Sequence, residues 1–351
     1  MTSNNISELV LLQAHELAER IRLRQVSCRE VMQAYLAHIE RFNPRVNALI
    51  SLQAPEDLLA QADLRDTELA RGEYRGWMHG LPHAVKDLSL TQGIRTTLGS
   101  PLYKDFVPER DGIMVERIKA AGAIIIGKTN TPEFGLGSQS YNPLFGATGC
   151  AFDPGKTAGG SSGGAAAALA MHLAPVADGS DMMGSLRNPA AFNNIFGFRP
   201  SQGRVPFDDS ADLFFDQLGY EGPMARSVRD AALLLSVQAG GDDRGTDQIG
   251  VAAGVRQAEF QATVRHAHHG RTVVGAKRDK SRGPGSAGQR VADYQTLVGV
   301  DRGRGERTQR RAMGEQTGGE VVSQFGQAHA AGVAGIKEQV LVLCAADGQV
   351  K

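Results

Sequence analysis

Two glycine-rich segments in the middle of this sequence carry serines capable of acyl chemistry. The segment Gly179-Ser180-Asp181-Met182-Met183-Gly184-Ser185 is a tight turn, and Ser185 to Ala191 reads as the opening of a helix. A serine at a helix start, behind amides that point the same way, can attack a carbonyl carbon while those amides hold the oxyanion. The plainer reading of Ser185 is an ordinary N-cap. Upstream, Gly159-Gly160-Ser161-Ser162-Gly163-Gly164 sets two hydroxyls among four residues that permit unusual backbone angles. A flexible linker has that composition too, but linkers do not usually run straight into a helix former such as Ala165 to Leu173.

A nucleophilic serine needs a base. Lys86 lies in Leu81-Pro82-His83-Ala84-Val85-Lys86-Asp87, a short strand candidate. Buried there, its ammonium would lose hydration, and its pKa would fall from about 10.4 toward a useful range. A stem that snorkels to water is the competing reading. No histidine has an evident carboxylate orienter: His83 and His172 sit in apolar stretches, and His266, His268 and His269 in a polar one.

One motif is deceptive. Gly122-Ala123-Ile124-Ile125-Ile126-Gly127-Lys128-Thr129 satisfies the pattern of a phosphate-binding loop. Such a loop follows a strand and opens a helix, whereas these residues are strand formers behind a helical segment, so nucleotide binding is set aside.

The elements that must hold these residues read as alternating helix and strand. Ser7 to Arg41 has helical periodicity, with Ser27 and Glu30 spaced for a capping box and Pro44 expected to stop the helix. A short strand is expected over Val46 to Ile50, a helix over 56–72, and an amphipathic helix over 112–121 that Gly122 ends. Ala123 to Ile126 suits a buried strand, and Leu173 to Ala177 another. A further helix is expected to start near Pro223 and to close at Gly240-Gly241. Helix followed by buried strand predicts an α/β architecture.

The whole chain of 351 residues balances 38 basic against 38 acidic residues. That zero hides an asymmetry: residues 1–250 hold 23 basic and 29 acidic residues, residues 251–351 hold 15 and 9. Leucine falls from 27 in the first part to 3 in the second, so the two parts are read separately. A hydrophobic fraction of 41% excludes a wholly disordered or collagen-like chain. No apolar run approaches the roughly 20 residues of a spanning helix, and the amino terminus lacks the basic start of a secretory signal. Cys28, Cys150 and Cys344 form no CxxC pair and read as reduced thiols of a cytoplasmic protein.

Taken together, the motifs resemble the amidase signature family of serine hydrolases. The resemblance rests on Gly80-Leu-Pro-His-Ala-Val-Lys86-Asp87, on Pro154-Gly-Lys-Thr-Ala-Gly-Gly-Ser161-Ser162-Gly-Gly, and on Gly179-Ser-Asp181-Met-Met-Gly-Ser185-Leu-Arg187-Asn-Pro-Ala. Gly197-Phe-Arg-Pro200, Gly203-Arg-Val-Pro206 and Gly222-Pro-Met-Ala-Arg226 continue it in order, and the 24-residue step from Ser161 to Ser185 fits the family's spacing. It implies a mixed central sheet flanked by helices and a Ser–cis-Ser–Lys triad. In that triad Ser185 is the acyl-forming nucleophile, Ser161 the bridging serine after a cis peptide at Gly160, and Lys86 the base. The backbone amides of Met182, Met183, Gly184 and Ser185 would form the oxyanion hole, with Gly160, Asp181 and Arg187 in support.

The resemblance further implies a small-molecule amide as substrate, no metal or organic cofactor, no nucleic acid and no membrane; a homodimer is open. Two departures stand out. The family usually has glycine where Met183 stands, and a positive φ there would strain methionine. Past Arg244 nothing resembles the family, although its members continue for some 200 residues more. Residues 1–248 are therefore expected to form the amidase domain, incomplete at its carboxyl end. Residues 249–351 form a basic tail of low hydrophobicity, disordered or out of frame. For that tail an out-of-frame translation is favoured over a divergent real domain and over a basic arm for nucleic acid or anionic surfaces. The expected function is hydrolysis of a carboxylic amide. The alternatives are an inactive fragment or an amidotransferase-type subunit.

Overall fold

The computed structural model describes residues 6–208 and 218–244, so the expected tail at 249–351, with Cys344 and the three clustered histidines, lies outside the described residues. The amino-terminal part is helical: α1 (Glu8–Leu11), α2 (Ala14–Arg22) and α3 (Cys28–Val46), then the short strand β1 (Leu49–Ile50) and α4 (Pro55–Ala70). The capping box forms: the Glu30 amide donates to Ser27 Oγ at 3.1 Å and the Ser27 amide to Glu30 Oε2 at 2.8 Å. Pro44 does not stop α3; the helix ends at Val46, with Asn47 in the left-handed region at φ 51°. Pro44 has no amide to give the Glu40 carbonyl, and the helix runs only two residues past it, where Asn43 Oδ1 turns the chain by accepting the amides of Ala48 and Leu49.

Next come β2 (Pro82–Lys86), α5 (Ile113–Ala120), β3 (Ile124–Thr129) and the hairpin of β4 (Tyr141–Asn142) and β5 (Gly146–Ala147). They are followed by α6 (Gly163–Ala170), β6 (Val176–Ser180), α7 (Arg187–Phe192), β7 (Phe196–Gly197), β8 (Glu221–Ala225) and α8 (Val228–Gln238). Six strands make one sheet in the order β1-β3-β2-β6-β8-β7. β2 runs parallel to β3 and β6, and the other pairings are antiparallel. This is the α/β architecture that the residue pattern predicts, with the mixed sheet and flanking helices that the resemblance implies.

Three expected elements are displaced. The strand expected over Val46 to Ile50 is only Leu49–Ile50, because α3 runs on to Val46. The strand expected at Leu173 to Ala177 is β6, which runs on through Asp178, Gly179 and Ser180 because these pair with Pro223, Gly222 and Glu221 of β8. The helix expected near Pro223 begins instead at Val228, where Ser227 Oγ accepts the Asp230 amide, and Pro223 lies within β8. The Gly122–Thr129 motif runs from the end of α5 into β3, the reverse of a phosphate loop, and Lys128 is buried against Ser89 O at 2.6 Å and Thr91 Oγ1 at 2.8 Å.

β2 is the inner strand that carries Lys86. Leu81, Ala84, Ile124 and Ile126 join Leu17, Ile21, Val31, Met32, Tyr35 and Ile39 in one core, and Ala167 and Ala168 of α6 pack into it. Every residue of α6 from Gly163 to Leu169 is buried. Small residues allow this close approach: a Cβ on Gly164 would meet the Asn130 backbone nitrogen at 2.3 Å. The serine loop is thereby pressed against the end of the sheet. Among the described residues no helix is long and apolar enough to cross a membrane.

Candidate active site

Lys86 ends β2 with no exposure to solvent. Its Nζ donates to Ser161 Oγ at 2.7 Å and to Ser180 Oγ at 2.9 Å. Burial drives its pKa down from 10.5 to about 7, although Asp178, Asp181 and Glu221 nearby favour the charged form. Here desolvation outweighs three carboxylates.

Ser161 follows a cis peptide from Gly160 and is almost wholly buried. Its loop is clamped on both sides. Ser140 Oγ donates to Ser161 O at 3.1 Å and accepts the Gly163 amide at 2.9 Å. A Cβ on Gly160 would lie 2.7 Å from the Gln139 nitrogen, so only glycine fits there. The serine loop is joined to the second turn by the Ser162 amide, which donates to Ser185 O at 3.2 Å.

The second turn is organised by Asp181, which is fully buried. It accepts the amides of Gly184 at 2.8 Å and Leu186 at 3.1 Å, and Arg187 Nε and Nη2 at 3.0 and 3.1 Å. Burial alone would raise its pKa, but the Arg187 hydrogen bonds and the two amides hold it below the usual carboxylate value. Gly184, at φ 112°, takes the left-handed backbone of this turn, and Met183 does not, so the methionine carries no strain of that kind. The Gly184 amide is engaged by Asp181, which removes it from the four expected to face an oxyanion. The amides of Met182, Met183 and Ser185 make no hydrogen bond among the described residues.

Lys86 and Ser161 thus meet directly. Ser185 is half-buried before α7, and its Oγ makes no hydrogen bond among the described residues. Two neighbours of Lys86 escaped the reading of the sequence. Ser180 touches its Nζ, and Asp178 Oδ2 accepts its backbone amide at 3.1 Å. Asp178 also faces His83, with Oδ1 2.9 Å from Nε2, so His83 does have a carboxylate partner. The available signal was the two-residue spacing of Asp178 and Ser180, which puts both on one face of a strand.

A family model described as Amidase matches residues 30–293, running past Arg244, where the motifs alone lose the family. A glutamyl-tRNA(Gln) amidotransferase subunit from Thermus thermophilus is 46% identical over 229 residues, 65% of this chain and 46% of that protein. The protein of the same description from Streptomyces coelicolor is 40% identical over 244 residues, 70% of this chain and 49% of its own length. The chain therefore spans about half the length of the curated relatives it matches. Among solved structures, a bacterial aryl acylamidase of the amidase signature enzymes superposes with a TM-score of 0.67 at 36% identity, over 70% of this chain and 51% of the other. The native peptide amidase from Stenotrophomonas maltophilia gives 0.64 at 35% identity, over 69% and 51%.

Proposed function

The chain belongs to the amidase family, and from that premise we propose that it hydrolyses a carboxylic amide through an acyl-enzyme on Ser185, with Ser161 bridging to Lys86. The observation that carries the reading is the 2.7 Å contact of Lys86 Nζ with Ser161 Oγ in a site dry enough to bring the lysine to about 7. In this reading neutral Lys86 takes the Ser161 hydroxyl proton as Ser161 Oγ takes that of Ser185. Ser185 Oγ then bonds to the carbonyl carbon, and the carbonyl electron pair moves onto oxygen. The free amides of Met182, Met183 and Ser185 are the donors available to that oxyanion. When the tetrahedral adduct collapses, the C–N bond breaks, and the proton held on Lys86 returns through Ser161 to the departing nitrogen. Water, deprotonated along the same relay, attacks the acyl carbon; the C–O bond to Ser185 then breaks, and the proton held on Lys86 returns through Ser161 to Ser185 Oγ as the acid is released. Asp181 and Arg187 support the turn, and Gly160 gives the loop its close approach. The substrate is a small amide and the compartment the cytoplasm, a placement supported by the free thiols of Cys28 and Cys150.

The test is covalent labelling with a fluorophosphonate, followed by mass mapping, together with turnover of a panel of aryl and aliphatic amides. Label is expected on Ser185 and lost in Ser185→Ala along with turnover. Turnover that survives the substitution would sink the mechanism. A second reading, an amidotransferase-type subunit, is favoured by the 46% identity to such a protein. It requires companion subunits, and a chain that purifies from its own cells without any would count against it.

A further inference from the structure

β2 is five residues long and buried throughout, yet it carries two polar side chains, His83 and Lys86. The proposed relay uses Lys86 and leaves His83 without a role. His83 and Asp178 are both fully buried and face one another at 2.9 Å. Among the described residues His83 Nδ1 has no hydrogen-bond partner, which puts the ring proton on Nε2, where Asp178 Oδ1 accepts it. A polar pair buried between two strands costs desolvation energy that two apolar side chains would not. Strand pairing does not require it, since His83 and Ala84 are already in register with Val176 and Ala177. That register ends at Ala84. Two residues further along β2, the amide of Lys86 finds the Asp178 side chain at 3.1 Å in place of a β6 carbonyl.

We infer that Asp178, held by His83, is a positioning residue for Lys86: it supplies the partner that β6 backbone does not, fixes the end of β2, and sets a carboxylate beside the lysine. The inference rests on the reading of Lys86 as the base. The other charged groups around the lysine are engaged elsewhere. Asp181, in the turn after β6, binds Arg187, and Glu221 of β8 accepts Ser89 Oγ at 2.6 Å. Asp87, next along the chain from β2, accepts the Thr97 amide at 3.0 Å, and Lys128 of β3 donates to Ser89 and Thr91. Of the three carboxylates that favour the charged lysine, Asp178 alone bonds to residue 86 itself among the described residues.

The experiment reads the lysine directly, so that failure of the hydrolytic reading and failure of this one are distinguishable. The full chain, labelled with [13Cε]lysine, is titrated by NMR, and the Lys86 resonance is identified by its loss in Lys86→Met. Removing the carboxylate charge in Asp178→Asn is expected to lower the Lys86 midpoint by about one pH unit, because an opposite charge at this range favours the ammonium. His83→Leu shifts it the same way, since the carboxylate loses the donor that holds it beside residue 86. His83→Gln, which restores an N–H for Asp178 Oδ1, returns it to the wild-type position. An unchanged midpoint in Asp178→Asn overturns the inference, as do His83→Leu and His83→Gln titrating alike. Midpoints that move in the stated pattern in a chain without amide turnover uphold the placement of Lys86 and overturn only the hydrolytic reading.

Discussion

At the scale of single residues, a lysine acts as a base only while it is neutral, and at Lys86 burial brings that state within reach of neutral pH against the pull of three carboxylates. The sign of the pH dependence follows. The neutral amine appears as pH rises through about 7, so kcat/KM climbs with pH along a one-proton limb centred there. A rate that is flat across that limb would remove Lys86 from the relay. Replacing the base should lower turnover at least about 100-fold, the usual contribution of a positioned proton acceptor. Lys86→Arg tests this while keeping a cation in place, since a guanidinium does not deprotonate in this range. Recovery of more than a few per cent of wild-type kcat in that variant would contradict the assignment.

At the scale of elements, both glycine-rich turns are built by long-range contacts. Gly160→Ala should destabilise the fold by about 1–3 kcal/mol, the usual cost of overpacking, because the new Cβ would meet backbone atoms of Gln139 and Ser138 at 2.7 and 2.9 Å. Chemical denaturation measures it, and an unchanged midpoint would mean that the 138–139 segment gives way freely. Arg187→Ala leaves buried Asp181 with its two amide donors and Arg199 Nε at 3.8 Å, but without the guanidinium that hydrogen-bonds it. Arg187 is itself a quarter exposed, so the expected loss is discounted to about 1–2 kcal/mol. Because the turn holds the free amides, kcat should fall more than KM rises, and the reverse split would place Arg187 in substrate binding instead. The local signals that did reveal elements were of one kind: Ser27 with Glu30, the β-branched run before Gly127, and the alanines after Gly164 each decide their own conformation. β6 lies past its expected place and β8 is not expected at all, because Asp178, Gly179, Gly222 and Pro223 are poor strand formers one by one, and only their pairing across the sheet makes them strands. The error hid Asp178 and Ser180, whose strand alternation points both at Lys86. Lys86 and Ser161 stand 75 positions apart, a separation that no periodicity can bridge. Their meeting was legible only through the family resemblance.

At the scale of the whole molecule, a neutral lysine at the core of the sheet costs stability, and that cost has a measurable pH signature. Between about 7 and 10.5 the unfolded chain holds a proton on Lys86 that the folded chain releases, so stability rises with pH. The slope for one proton is about 1.4 kcal/mol per pH unit. Below about 7 both states are protonated and the whole cost is present; above 10.5 it is gone. Hydrogen bonds from Arg75 hold Glu68 down at about 2 from its ordinary 4.5, so its contribution is complete well below pH 7. Burial lowers His38 and His172 from 6.5, and the part of their contribution that runs past pH 7 is common to wild type and variant and cancels in their difference. Burial pushes the Cys28 thiol above its ordinary 9.0 and the Tyr35 hydroxyl up to about 12, which makes stability fall with pH only beyond about 9. Lys86→Met, of similar length and without charge, should therefore be inactive yet lose the slope between about pH 7 and 9. The readout is the wild-type-minus-variant difference in unfolding free energy, which changes by roughly 2–3 kcal/mol across that interval and is insensitive to any constant packing difference. A difference that stays level would mean that Lys86 keeps its charge in the folded chain, and a permanently charged lysine cannot accept the Ser161 proton. The same measurement thus ties the stability of the sheet to the chemistry proposed for it: the relay requires the very neutral amine whose burial makes the fold less stable at pH 7 than it is at pH 9.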